Sequence, residues 1–104
     1  MRYDLDCRYD SRNSFYGKAV VKVIKNSIEQ EQLLYSYETL VASIITDFEK
    51  GTKVYELIPY VVNGKTKTQT TTRHQKEFFK QNCLTDEEIK EIFKKGKLEV
   101  NYEL

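Results

Sequence analysis

The spacing of apolar residues changes near Thr72, and this change constrains the fold more than any other feature of the sequence. Before it, apolar and polar residues alternate as in half-buried strands; in residues 15–26 one face carries Phe15, Ala19, Val21 and Val23. After it, the spacing is helical until Gly96, and residues 97–104 alternate again. This order predicts an α+β fold: an antiparallel sheet of about five or six strands, two short helices on one face, and a final C-terminal strand.

The middle of the chain predicts further strands separated by turns. Residues 26–32 are polar and indicate a turn. Residues 33–46 are rich in β-branched and aromatic side chains, which favours a strand. Its pattern is interrupted near Ser36–Glu38, where we expect either two shorter strands or a bulge. Residues 47–52 predict the next turn.

A hairpin is predicted around Asn63–Gly64, between strand-like residues 53–62 and residues 65–70. Both turn residues tolerate positive φ, so the pair is a strong hairpin signal. Pro59 has no N–H to donate to a neighbouring strand. The first strand of this hairpin is therefore expected at a sheet edge, or with a bulge at the proline.

The first helix is predicted by a capping-box pattern. Thr72 and Gln75 have the spacing at which a threonine hydroxyl and a glutamine side chain satisfy the first amides of a helix. A helix from about Arg73 to Asn82 would direct Phe78 and Phe79 into the core.

The second helix has a stronger set of signals. Thr85 and Glu88 repeat the capping box, and Leu84 can pack on Ile89 across the helix start. Gly96 is the expected end, since glycine adopts the left-handed conformation that closes many helices.

Composition restricts the class of protein. The 104 residues are expected to form one domain, 1–104, and seventeen basic against sixteen acidic residues give a net charge of +1. That balance argues against an acidic nucleic-acid mimic and against a histone-like coat. Cys7 and Cys83 are far apart, and the sequence shows neither a signal peptide nor a run of roughly 20 apolar residues. We expect a cytoplasmic protein with reduced thiols and no membrane segment.

Catalytic and metal-binding patterns are weak. His74, the single histidine, is predicted to be a partly exposed residue near a helix start, and the nearest thiol, Cys83, lies nine positions on. One histidine without a cysteine cluster does not suggest zinc. Asp4, Asp6 and Asp10 would share a strand face but lack a second acidic cluster. No glycine-rich phosphate loop is present. The sequence predicts no enzyme activity, cofactor or metal.

A basic segment is the other candidate site. Residues 61–76 contain no acidic side chain and four cations interleaved with threonines: Lys65, Lys67, Arg73 and Lys76. Such groups can bind phosphate, but they also occur on solvated sheet edges. We favour the solvated edge. The second helix begins with three carboxylates, Asp86 to Glu88, which would repel DNA, so it is not a recognition helix.

Three segments carry a family resemblance: SFYGKAVV (14–21), LYSYETLVASI (34–44) and TTTRHQKEFFKQ (70–81). In this order they resemble small proteins of unknown function from phages and mobile elements of low-GC Gram-positive bacteria. The resemblance does not extend to residues 84–104. It implies a phage origin and a mainly structural role for the third segment, and it brings no assigned chemistry.

Two functions follow as hypotheses. The first is a protein that binds and inhibits a host protein stoichiometrically, anti-CRISPR-like, with a CRISPR effector nuclease as the expected partner and the host cytoplasm as its location. Its expected contact residues are Tyr55, Tyr60, Lys65, Lys67, Arg73, His74 and Lys76. The tyrosines favour this reading, because Tyr is common at interfaces. The alternative is a nucleic-acid accessory protein that uses residues 65–76.

Overall fold

In the part of the chain that the structure describes, six antiparallel strands form one sheet in chain order, β1 to β6. The computed structural model describes residues 1–11, 14–59 and 69–102. The strands are β1 (Arg2–Asp4), β2 (Ala19–Lys25), β3 (Glu29–Ser36), β4 (Thr39–Asp47), β5 (Thr52–Leu57) and β6 (Lys97–Asn101). Between β5 and β6 lie the helices α1 (Gln69–Gln81) and α2 (Asp86–Lys95). The predicted fold class is confirmed, including the late helices and the final strand.

Both helices cover the same face of the sheet. Alternate residues of β2, β3 and β4 form one buried cluster with apolar residues of the two helices, including Ala19, Val21, Leu34, Ile44, Phe78, Phe79 and Ile92. The apolar face predicted for residues 15–26 is confirmed, since Phe15 is buried with this cluster and Val23 packs against it. Phe78 and Phe79 are fully buried, as predicted.

The opposite face carries no helix from the described part of the chain. The residues between the core positions point to it, among them Val20, Lys22, Leu33, Tyr35, Ile45 and Val54. The register places Lys22 opposite Leu33, and Ile45 opposite Val54. We refer to this surface as the open face.

The break predicted near Ser36–Glu38 is confirmed. The chain turns between β3 and β4, and the register of this pair shifts between Leu34 and Tyr35, just before the turn. The turn predicted over residues 47–52 is also present, and the Gly51 N–H donates to the Asp47 carbonyl at 3.0 Å. The turn predicted over residues 26–32 is too long: it ends before Glu29, because Glu29 to Gln32 pair along β4.

The edge position predicted from Pro59 is wrong. β5 lies between β4 and β6, and it ends at Leu57, before the proline. Pro59 therefore does not interrupt the hydrogen bonds of the strand. The predicted Asn63–Gly64 hairpin lies outside the described residues, but the final residues of its predicted second strand, 69–70, belong to α1.

The first helix begins earlier than predicted. α1 starts at Gln69, so Thr72 is an interior helix residue and not an N-cap. The Gln75 side chain donates instead to the Val41 carbonyl at 3.0 Å. The Gln75 side-chain amide, predicted to cap the helix, thus makes a tertiary contact to β4.

The second helix follows its sequence signals. The Thr85 hydroxyl accepts from the Glu88 N–H at 3.2 Å, and the Glu88 carboxylate accepts from the Thr85 N–H at 2.9 Å. Leu84 and Ile89 are both buried in the core. Gly96 adopts φ 85°, a conformation that costs glycine little, and its N–H donates to the Ile92 carbonyl.

Replacing Thr85 by alanine should lower the free energy of unfolding by about 1 kcal/mol, because the Glu88 amide loses its acceptor. Urea denaturation of the wild type and the variant measures this difference. Thr85→Ser is the matched control, since serine retains the hydroxyl and should stay close to wild type. Equal losses in both variants would show that threonine contributes through its methyl group and not through the cap.

Candidate functional site

The three segments that carry the family resemblance meet around His74. The His74 Nδ1 lies 2.8 Å from the Ser36 hydroxyl. The Phe15 ring stands edge-on to the imidazole at a centroid distance of 4.5 Å, and the Tyr37 ring lies at 5.9 Å. Each of the segments 14–21, 34–44 and 70–81 therefore contributes to one cluster.

The prediction that His74 is partly exposed is wrong. Only 1% of the residue is accessible, because the early start of α1 places it one turn inside the helix and against the sheet. Ser36 is equally enclosed, and its hydroxyl also lies 3.1 Å from the Thr71 hydroxyl. Buried polar groups are stable in a core when they are hydrogen-bonded in this way.

A serine hydroxyl beside a histidine nitrogen is a pattern of nucleophilic catalysis. Here Ser36 is only 2% accessible, and its hydroxyl faces Thr71 and His74 of α1. A substrate carbonyl does not reach an oxygen so deeply enclosed. We therefore assign the Ser36–His74 pair to the docking of α1 on β3.

Two tight turns lie beside this cluster, and both hold a tyrosine in the left-handed backbone region. Tyr16 has φ 52° and Gly17 φ 73°, and Tyr37 has φ 50° and Glu38 φ 69°. Positive φ at both central residues is typical of the hairpin turns that match strand twist. Asn and Gly are usual there, and a bulky residue is uncommon.

The two turns are adjacent and joined. The Tyr37 N–H donates to the Lys18 carbonyl at 2.8 Å, next to the first turn. The tyrosine side chains are directed to solvent, with 79% of Tyr16 and 52% of Tyr37 accessible. Strained backbone conformations cost roughly 1–3 kcal/mol each and concentrate at functional sites. This pair of turns is the strongest candidate for a site.

A cleft of about 630 Å³ opens on the open face beside these turns. Its size falls in the roughly 300–1,000 Å³ range of ligand sites. It is lined by Arg2, Gly17, Lys18, Val20, Lys22, Tyr35, Tyr37 and Glu38. We call it the turn cleft. Three cations face one carboxylate there, and none of the ion pairs within the described ranges uses these cations.

Of the basic residues predicted as a site, the two that the structure describes, Arg73 and Lys76, do not line this cleft. Tyr60, Lys65 and Lys67 lie outside the described residues. The Arg73 guanidinium lies 3.3 Å from the Asp10 carboxylate. The Lys76 ammonium is 5.7 Å from the centre of the Phe93 ring. The last two cations therefore contact the protein's own N-terminal segment and α2.

Tyr55, predicted as a contact residue, belongs to the core. It is 5% accessible, and its ring stands edge-on to Phe79 at 6.3 Å. Burial raises the pKa of its hydroxyl, and the nearby acidic groups Glu88 and Cys83 raise this pKa further. A side chain in this position cannot anchor a partner.

A second polar cluster ties the N-terminal segment to α1. One oxygen of the buried Glu77 carboxylate accepts the N–H groups of Arg8, Tyr9 and Asp10 at 3.1, 2.8 and 2.8 Å. The Gln81 amide donates to the other oxygen and to the Asp6 carbonyl, both at 2.7 Å. Across the described ranges no group of acidic, histidine or cysteine side chains is arranged to hold a metal ion.

Sequence reasoning missed the residues that line the turn cleft. One signal was present: strand alternation places Lys18 and Lys22 on the face away from the core. Nothing local marked the two tyrosine turns, because Tyr-Gly and Tyr-Glu are not usual pairs at positive φ. Arg2 joins the cleft only because β1 pairs with β2.

The fold and the cleft define a small α+β protein whose six-stranded antiparallel sheet has helices on one face and a cationic cleft at one corner of the other. The chain belongs to a family of unknown function, DUF8033, whose pattern matches residues 3–95. The match includes all of α2, beyond the three segments. Neither the curated proteins nor the solved structures contain a match. Among the described helices none is long and apolar enough to cross a membrane.

Proposed function

We propose that this protein is a binding module that acts by one-to-one contact with a protein partner, through the turn cleft and the open face beside it. The observation that carries the proposal is the pair of exposed tyrosines, Tyr16 and Tyr37, held by left-handed turns at the edge of a cationic cleft. A partner that covers these rings would bury their apolar surface and use their hydroxyl groups.

The contacts that hold Tyr37 in place favour a binding role. Its backbone is fixed by the hydrogen bond to Lys18, and its ring lies against the His74 ring. A preorganised aromatic side chain loses little conformational entropy on binding. Tyrosine is also among the residues whose truncation most often weakens interfaces.

The biological role we propose is inhibition of a host protein by a phage or mobile-element protein. It draws on the resemblance of segments 14–21, 34–44 and 70–81 to such proteins, and on the net charge of +1, which does not suit an acidic decoy of nucleic acid. A CRISPR effector nuclease is the first partner to test.

The test is a titration of effector cleavage activity with the purified protein. Inhibition should saturate near one inhibitor per effector. Tyr37→Ala should weaken binding roughly thirtyfold, because truncating a central interface tyrosine costs roughly 2 kcal/mol or more. Tyr9→Ala is the matched control, since Tyr9 is also exposed but lies in the N-terminal segment and not in the cleft. Loss of activity at trace amounts of protein would instead indicate a catalyst and contradict the proposal.

The nucleic-acid alternative is tested with the same purified protein. It requires the cations Lys65, Lys67, Arg73 and Lys76, of which Arg73 pairs with Asp10. Binding of a labelled oligonucleotide through these cations would weaken as salt is added and would be lost when all four residues are replaced by glutamine. We expect to observe no such binding. Such binding, with effector inhibition absent, would favour the alternative.

A further inference from the structure

The open face has a directional distribution of charge. Arg2, Lys18 and Lys22 line the turn cleft at the β1–β2 side. Leu33 lies opposite Lys22 in the next strand, and beyond it Ile45 and Val54 face each other across β4 and β5. All three apolar residues are partly accessible. Cations are thus followed by an apolar stripe.

Acidic residues bound the stripe. Glu31 lies opposite Ile45, and Glu99 lies opposite Val54. Glu56 lies opposite Lys97 at the far side of the sheet. The surface therefore carries three cations and Glu38 at the cleft, with Asp4 on the same face opposite Val20, and three carboxylates and Lys97 around and beyond the apolar stripe.

We infer that the turn cleft binds the carboxylates of an acidic segment in the partner protein, and that apolar residues next to those carboxylates pack on Leu33, Ile45 and Val54. This inference rests on the proposed function and specifies the chemistry of the partner. Arg2 offers a planar guanidinium that can bind a carboxylate with two hydrogen bonds, and Lys18 and Lys22 provide mobile ammonium groups.

Charge complementarity favours a protein segment over a single-stranded nucleic acid. A nucleic acid carries a phosphate at every nucleotide, so a binding groove needs cations along its whole path. Here three cations lie together in the cleft, the onward path passes Glu31 and Glu99, and the cation at the far side, Lys97, lies opposite Glu56. A segment with localised acidic residues followed by apolar ones matches both parts of the surface. The apolar part also gives affinity that salt does not screen.

The probe is a labelled peptide in which two glutamates precede leucine and isoleucine, titrated into the full-length protein and followed by anisotropy and by amide chemical shifts. Shifts should be confined to Arg2, residues 17–22, residues 33–38, and the stripe residues Ile45 and Val54. The Lys18→Gln/Lys22→Gln double variant should bind roughly tenfold more weakly, since charge-assisted hydrogen bonds are lost. Lys90→Gln/Lys94→Gln, which removes the same charge from exposed positions of α2, should bind like wild type.

Three results would overturn the inference. A peptide with glutamines in place of the glutamates could bind equally well, or an oligothymidylate of the same length could bind the cleft more tightly than the peptide. The third outcome separates the inference from the proposed function. If Tyr37→Ala disrupts binding to the protein partner but Lys18→Gln/Lys22→Gln does not, then the acidic-segment inference fails and the one-to-one contact remains.

Discussion

Replacing Phe78 by alanine should lower the free energy of unfolding by about 3–5 kcal/mol. Phe78 is completely buried, and its ring packs at 5.5 Å from the ring of Phe79 within the single core cluster. Removing it takes away buried apolar area and leaves a cavity where α1 meets the sheet. The surrounding structure relaxes only partly into such a space, and the bond from the Gln75 side chain to the Val41 carbonyl also holds α1 against β4.

Chemical denaturation with matched variants measures the effect. Phe78→Leu retains most of the side-chain volume and should lose well under half as much stability. The ordering against Thr85→Ala, expected at about 1 kcal/mol, is a further check. If Phe78→Ala is no worse than Thr85→Ala, the described packing of α1 on the sheet is incorrect.

Features of the fold that depend on neighbouring residues were predictable. The apolar face of residues 15–26 follows from alternation alone, and the core contains Phe15, Ala19 and Val21 as expected. The α2 signals, from the Thr85 cap to Gly96, act within one turn of the chain. Such signals need no knowledge of distant partners.

Features that depend on distant partners were not predictable. The pattern from Thr72 to Gln75 fits a helix start, but Gln75 donates to Val41 and His74 bonds to Ser36, which lies 38 positions away. Likewise, Pro59 suggested an edge strand because nothing near β5 indicates that β6 returns to pair with it. In each case a tertiary hydrogen bond decides the outcome.

The candidate site was the least predictable part. Its cations were partly visible from alternation, but the turns that display Tyr16 and Tyr37 adopt a backbone conformation that tyrosine seldom takes. Local preference therefore argues against the observed turn geometry at the position where function is proposed. Such a conflict is expected where the surrounding structure overrides local preference for a functional reason.

Replacing Glu77 by alanine should lower the free energy of unfolding by roughly 2–4 kcal/mol, because three backbone N–H groups lose a shared carboxylate acceptor. The amides of residues 8–10 converge on one oxygen of this buried side chain. Glu77→Gln keeps an acceptor oxygen without the charge and should lose about half as much stability.

Hydrogen exchange distinguishes this local role from general destabilisation. In Glu77→Ala the amides of residues 8–10 should exchange fastest relative to wild type, while the centre of β4 should change only by the global loss of stability. The effect should extend to β1, because the segment held by Glu77 begins only four positions after the end of β1, and β1 carries Arg2 into the turn cleft. Glu77→Ala should therefore also weaken acidic-peptide binding, although Glu77 does not line the cleft. Unchanged protection at residues 8–10 would show that Glu77 does not hold this segment, and the connection from α1 to the cleft would then fail.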